Sequence, residues 1–296
     1  MSIHARSEID PTARIADNVE IGPGVVIGPD SVVSEGVQIG PNVIIGPNTT
    51  LGEGVRVYPG AIIGTDPQDV KYDGSRTVCE IGPRTVIREY VTINRGTKAS
   101  GATTIGAECY LMAYCHVGHD CRVGNRIVMA NIATLGGHCQ VEDDATLGGL
   151  AALHQFVRIG RLAMVGAVSG LRTDAPPYMI TFGAPPARVY GVNSVGLKRR
   201  GVKPAVRAQI KQAYKLLYRS GLNFADACAR IKKEIERSPE IEHLLEFFAT
   251  TKRGVSRGHD LDSKAEPDRQ YRDELIRTVS LTSGRAQEIS EGLGLG

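Results

Sequence analysis

Four histidines, His116, His119, His138 and His154, fall within one stretch of this sequence, and His119 is followed directly by Asp120. An imidazole beside a carboxylate is the usual general base near neutral pH, because the acid fixes the ring tautomer and steadies the imidazolium. Such a pair would take a proton from a hydroxyl or an amine as that group attacks a carbonyl. A single histidine of this kind would more simply be a solvated surface residue, but four together argue against that reading. Stacked imidazoles between subunits can also hold zinc; here no metal is expected. Neighbouring residues on a strand point to opposite faces, so a turn or an adjoining subunit must bring Asp120 to His119.

The elements that position these side chains show as a period. An aliphatic residue recurs at every sixth position from Ile15, Ile21 and Ile27 through to Leu171. Of the 27 positions in this register between 15 and 171, 24 carry Ile, Val, Leu or Met, so a repeat architecture follows. Two residues before each aliphatic one stands a small or β-branched residue, and positions two apart on a strand share a face. Each hexad therefore reads as a short strand with two inward side chains, then a turn. The residue after the aliphatic one is often glycine (Gly22, Gly28, Gly40), which suits a positive φ or a close backbone approach. Three hexads make an 18-residue coil, and stacked coils form a parallel β-helix. That spacing puts His119, Gly137-His138 and His154-Gln155 almost above one another on one outer face. Five of the six cysteines, Cys79, Cys109, Cys115, Cys121 and Cys139, take the small inward position and read as packing residues.

Composition agrees. The chain has 35 glycines, no tryptophan and only 5% aromatic residues, which suits a narrow repeat better than a core built on large rings. Its formal charge is +3, too small an imbalance to point to nucleic acid. The N-terminal residues lack an apolar signal core, and no apolar run is long enough to span a bilayer, so a soluble cytoplasmic protein without membrane insertion is expected. The hexad pattern breaks near 65–78 and 95–103, and both segments should leave the coil as loops. Residues 1–192 are assigned to the β-helix and 193–253 to a small α-helical C-terminal domain. A helix should open near Pro204 and end at Gly221, a second should follow Asn223, and a third should begin at Ser238-Pro239. Residues 254–296 read as a weakly ordered tail.

Seven motifs in order, PQDVKY (67–72), REYVTINRGT (88–97), HVGHDCRVGN (116–125), GGH (136–138), HQFVRIG (154–160), DAPPY (174–178) and GVNSVGLKRRG (191–201), resemble the UDP-N-acetylglucosamine O-acyltransferases that begin lipid A synthesis. The match runs to about residue 253. The resemblance implies a left-handed β-helix, a homotrimer with sites between neighbours, and no cofactor. It implies transfer of a hydroxyacyl group from acyl carrier protein to the sugar 3-hydroxyl, with His119 as base, Asp120 orienting it and Gly137 N–H facing the oxyanion. By the same resemblance Gln68, Asp69, His116 and His138 position the sugar, Lys71 and Arg200 the diphosphate, Asn193 the uridine, and His154 lines the cleft. Arg199, Lys203 and Arg207 would dock the acidic carrier protein, and Ala167 would limit acyl length. Val195 stands where many relatives carry an acid, and Asn94 where relatives often carry histidine. Two alternatives remain at this stage: N-acylation of a 3-amino sugar analogue, and a non-catalytic β-helix scaffold.

Overall fold

The computed structural model describes residues 2–259. Short strands, most of two residues, form three sheets of 11, 9 and 8 strands, and the strands up to Leu171 pair in parallel with those three places away along the chain. Three strands thus make one coil. Glu20 pairs with Gln38 and Tyr110 with Val128, the 18-residue step of a three-hexad coil. Beyond the first coil both inward residues of the regular hexads are buried, as at Val19 and Ile21 or Cys115 and Val117. They form one continuous core along the prism, and each fully buried aliphatic side chain contributes roughly 1.5–3 kcal/mol. The cysteines behave as this packing requires. Burial pushes the Cys79 thiol up to about 12 and that of Cys109 to about 11, so both stay protonated.

The glycine that follows each aliphatic residue works through close approach. A Cβ on Gly22 would lie 3.0 Å from Pro41 N and 3.1 Å from Gly40 C, on the rung above. The left-handed residue comes two positions later, at most corners of the prism: Gly24, Asp30 and Asn42 early in the chain, then Tyr114, Asp120, Ile132 and His138.

Both breaks in the pattern leave the coil. Ile62 pairs with Thr92, 30 residues on, because the segment between Thr65 and Val78 is extruded. Thr92 pairs with His116, 24 residues on, because the segment between Asn94 and Ala102 is extruded as well. Each insertion is a whole number of hexads, so the inward phase survives it.

After the last coil an antiparallel pair, Met179–Phe182 with Arg188–Val192, ends one sheet. Four helices follow: α1 (Ser194–Arg199), α2 (Pro204–Tyr218), α3 (Phe224–Glu234) and α4 (Pro239–Ala249). Asn223 and Ser238 accept the N-cap hydrogen bonds of α3 and α4, and Gly221 has φ +75° after α2. Ile210, Ala213, Leu217, Ile231 and Leu244 form a second core with Tyr178 and Met179. His243 of α4 fastens the helices to the prism, its Nε2 2.8 Å from Glu142 Oε2 and its Nδ1 2.9 Å from Tyr178 Oη. The segment read as a tail starts in an ordered way, since Val255 forms a β-bridge to Asp174 and Ser256 N–H donates to Asp174 O at 2.9 Å. Residues 260–296 of that segment lie outside the described residues. Among the described residues no helix is long and apolar enough to cross a membrane.

Candidate active site

Strand His116–Val117 runs into a corner at Gly118, His119 and Asp120. Asp120 holds φ +60°, a conformation that Asp tolerates better than most residues. That reversal turns its carboxylate back onto the preceding imidazole, and His119 Nδ1 lies 2.6 Å from Asp120 Oδ2. Both side chains are buried. The turn therefore supplies within one chain the pairing that strand alternation alone forbids.

The second excursion holds Asp120. Thr97 donates its N–H to Oδ1 at 3.0 Å and its hydroxyl to Oδ2 at 2.8 Å, and Ser100 donates through N–H at 3.3 Å and through its hydroxyl. Burial acts to raise the Asp120 pKa, but the hydrogen bonds from His119, Ser100 and Thr97 outweigh it and hold the carboxyl below its ordinary value. An ionised Asp120 can only accept, so His119 carries its proton on Nδ1 and presents a bare Nε2. Motif reading missed Thr97 and Ser100; the available signal was that one extruded hexad begins beside His119.

His119 lies over Gly137. A Cβ there would stand 2.6 Å from Nε2 and 2.7 Å from Cε1, so the rung can carry no side chain. The flanking N–H groups are engaged, Gly136 to Leu153 O at 3.0 Å and His138 to His119 O at 2.9 Å. Among the described residues no hydrogen bond engages Gly137 N–H, which leaves a donor beside Nε2.

The expected single column resolves into two adjacent ones, since His138 stands 18 residues above Asp120, not above His119. Its ring meets that of His119 edge-on at 5.0 Å and stacks on Phe156 at 4.4 Å with 4° between the planes. Phe156 is a further residue that motif reading missed, although it lies one coil beyond His138. His116, one strand before His119, pairs through Nδ1 with Thr92 Oγ1 at 2.8 Å. Burial and then the charge of His119 lower its pKa, so His116 is neutral at pH 7. His154 is exposed, with Nδ1 3.2 Å from Gln155 O.

Other residues singled out from the sequence stand apart in this chain. Gln68 and Lys71 are exposed on the first excursion, and Asp69 Oδ1 accepts from Lys71 N–H at 3.0 Å. That loop is tied to the second one, since Arg95 donates to Tyr72 Oη at 3.0 Å and Lys98 pairs with Asp73 at 2.8 Å. The Asn193 side chain caps α1 through Gly196 N–H at 3.0 Å and donates to Leu162 O at 2.9 Å. Arg200 Nε lies 3.1 Å from Asp144 Oδ1, an oxygen it shares with Arg126 at 2.7 Å. Arg126, Arg161, Arg200 and Lys203 line a groove between prism and helices. Arg199 and Lys203 are exposed, and Arg207 is half-buried. Ala167 is half-buried on the rung above Gly148, where a Cβ would meet Ala167 N at 2.5 Å.

Known proteins share this fold. Residues 174–256 match the family model described as UDP N-acetylglucosamine O-acyltransferase, domain 2, and residues 1–35 and 30–65 match the bacterial transferase hexapeptide of six repeats. A curated acyl-acyl-carrier-protein–UDP-N-acetylglucosamine O-acyltransferase from Syntrophobacter fumaroxidans is 45% identical over 98 residues, which cover 33% of this chain and 38% of that protein. The chain thus matches little more than a third of that curated relative's length. The solved structures match far more: LpxA from Acinetobacter baumannii is 36% identical over 86% of this chain and 99% of its own, with a TM-score of 0.83. The UDP-N-acetylglucosamine O-acyltransferase LpxA from Moraxella catarrhalis is 36% identical over 87% and 100%, with a TM-score of 0.81. The coil is accordingly the left-handed β-helix. By near-complete coverage of solved relatives at this identity, the chain belongs to the UDP-N-acetylglucosamine O-acyltransferase family.

Proposed function

We propose that this protein transfers a 3-hydroxyacyl group from acyl carrier protein to the 3-hydroxyl of UDP-N-acetylglucosamine, the first step of lipid A biosynthesis. The observation that carries the reading is the stack of Asp120, His119 and Gly137, with a bare Nε2 beside an unengaged N–H. In this mechanism Nε2 takes the hydroxyl proton as the sugar oxygen attacks the thioester carbon. Asp120 stabilises the resulting imidazolium. Gly137 N–H receives the oxyanion, a contribution of about 3 kcal/mol for one preorganised donor. Collapse of the tetrahedral intermediate breaks the C–S bond, and the imidazolium returns its proton to the leaving thiolate.

Neutral His116, with His138, Gln68 and Asp69, would orient the sugar. Lys71 and Arg200 would meet the diphosphate, Asn193 the uridine, and His154 would line the cleft. For Arg200 this requires release from Asp144, which Arg126 continues to neutralise. Arg199, Lys203 and Arg207 would receive the acidic carrier protein, and Ala167 would bound the acyl chain. No cofactor is needed, and the substrates put the reaction in the cytoplasm.

A homotrimer with sites between neighbours is part of this reading. One corner of the prism supports it. Tyr90, Tyr114, Ile132, Leu150 and Val168 follow one another up that corner, linked by hydrogen bonds such as Ile132 N–H to Ala113 O at 3.1 Å and Leu150 N–H to Asn131 O at 3.0 Å. All are exposed, from Ile132 at 46% to Val168 at 63%. Tyr90 and Tyr114 stack at 5.1 Å. Ile132 and Val168 hold φ +66° and +56°, which costs a side chain roughly 1–2 kcal/mol. An apolar ridge displayed at that cost suits burial against a second copy of the chain.

The test is product mass after mixing the protein with UDP-N-acetylglucosamine and hydroxyacyl carrier proteins of several chain lengths. O-acylated sugar nucleotide is expected, and its loss in a folded His119→Ala variant. Turnover of the 3-amino analogue alone would shift the reading to N-acylation, and normal turnover in His119→Ala would overturn the mechanism.

A further inference from the structure

We infer that His119, Asp120 and His138 form a binding site for a zinc-class divalent cation, whose occupancy shuts off acyl transfer. The inhibitory half of this inference rests on the base role proposed for His119. One ligand atom from each residue converges within 4.8 Å of the others. His119 Nδ1 is 2.6 Å from Asp120 Oδ2, and His138 Nε2 is 3.7 Å from that same oxygen. Metal–ligand bonds near 2.0–2.1 Å in a tetrahedron separate the ligand atoms by about 3.3 Å. The two distances to Asp120 Oδ2 bracket that value, and the 4.8 Å limit leaves the imidazoles at most about 1.5 Å to close, so small ring rotations would seat the cation on two imidazoles and a carboxylate. That is the donor set of an open zinc site with a fourth position left to water.

The supports of these ligands are already in place. Thr97 and Ser100 hold the carboxylate with N–H and hydroxyl donors. The parallel stack on Phe156 sets the plane of His138. Outer contacts of this kind orient metal ligands in built sites. Magnesium suits the place poorly, since it prefers an octahedron of oxygen ligands.

Inhibition follows from the proton count on one ring. A cation on Nδ1 displaces the proton that Asp120 otherwise holds there. The neutral ring then carries that single proton on Nε2 instead, the nitrogen over Gly137. A protonated Nε2 cannot accept from the sugar hydroxyl, and the cation also occupies Asp120. Metal and catalytic tautomer therefore exclude each other at His119.

Two measurements on the full-length protein test this. Competition against a chromophoric chelator should give one zinc ion per chain, lost in Asp120→Asn and in His138→Gln while circular dichroism and assembly size stay unchanged. Zinc at micromolar concentration should lower turnover at least tenfold relative to chelator-treated enzyme, with recovery on adding chelator and no effect of equal magnesium. Zinc binding that survives in Asp120→Asn or in His138→Gln, undiminished turnover in zinc, or turnover that requires zinc would each overturn the inference. Chelator-treated enzyme without any turnover would instead count against the proposed function, and the binding stoichiometry would still decide whether the site exists.

Discussion

His119 and Asp120 are adjacent in the chain, yet Nδ1 of one and Oδ2 of the other meet at 2.6 Å. A positive φ at Asp120 makes the contact possible. Four donors from Thr97 and Ser100 then keep the carboxylate charged in a buried place. The proposed base is set by a corner of the coil and by one extruded loop.

Removing the tautomer control should be costly. In Asp120→Asn the amide can donate to Nδ1, which moves the ring proton to Nε2, so kcat should drop on the order of 10²–10⁴-fold. Steady-state kinetics with a matched melting curve measure this, and a kcat within threefold of wild type would refute the role of Asp120.

Thr97 acts one step further out. Thr97→Val removes a donor to Oδ2 while keeping the shape, and should lower kcat about tenfold, the worth of roughly 1.4 kcal/mol, with KM little changed. Thr97→Ser restores the hydroxyl and should restore most of the rate. Equal losses in both variants would mean that the loop is only structural.

Gly137→Ala tests the close stack. The new Cβ would stand 2.6 Å from His119 Nε2, so the ring must swing aside and activity should fall on the order of 100-fold or more. The fold should persist, because displacing a ring toward solvent opens no cavity in the prism. Full activity in a crystallographically verified alanine variant would remove both residues from the mechanism.

The apolar ridge makes its own prediction. Asn tolerates a positive φ that strains Ile, so Ile132→Asn paired with Leu150→Asn should leave the melting temperature of the dissociated chain equal or higher while weakening self-association at least tenfold. Sedimentation equilibrium across a dilution series reads this out. An unchanged assembly would show that the ridge faces something other than a second copy.

Glu142 predicts a pH-dependent stability. Burial acts to raise its pKa, but His243, Arg161 N–H and Arg158 outweigh that, and the folded value lies below the ordinary 4.5. A depressed folded pKa stabilises the native state above the ordinary value and ceases to do so as pH falls through the folded one. Glu142→Gln should therefore cost about 1–3 kcal/mol at pH 7, and its gap from wild type in urea melts should close below the ordinary glutamate value. A gap that is constant across that range would refute the ionic contribution.

Much of this was readable before any coordinates. Ile21 and Val117 declare their inward direction through period and residue type alone, and Cys115 and Cys121 declare packing through their place in it. In a coil of parallel stacked rungs, separation along the chain converts directly into height, which is why Gly137 could be placed over His119 by counting to 18. Asn223 and Ser238 were legible as helix caps because a cap is a local event.

The count set His138 one position past the His119 column but could not say where its ring would point. One position of offset moves a residue onto the left-handed corner, and the sign of φ at Asp120 or His138 leaves no trace in a six-residue period. Nor could it return Thr97 and Ser100 to Asp120, because an extruded loop has no period and closes wherever hydrogen bonding and burial favour it. The amino-acid sequence by itself determined the prism, its phase and the rung of each histidine, since repetition makes those local and cumulative. Only the tertiary structure decided which imidazole meets which carboxylate, because that depends on corner dihedrals and loop closure set by contacts between residues far apart in the chain.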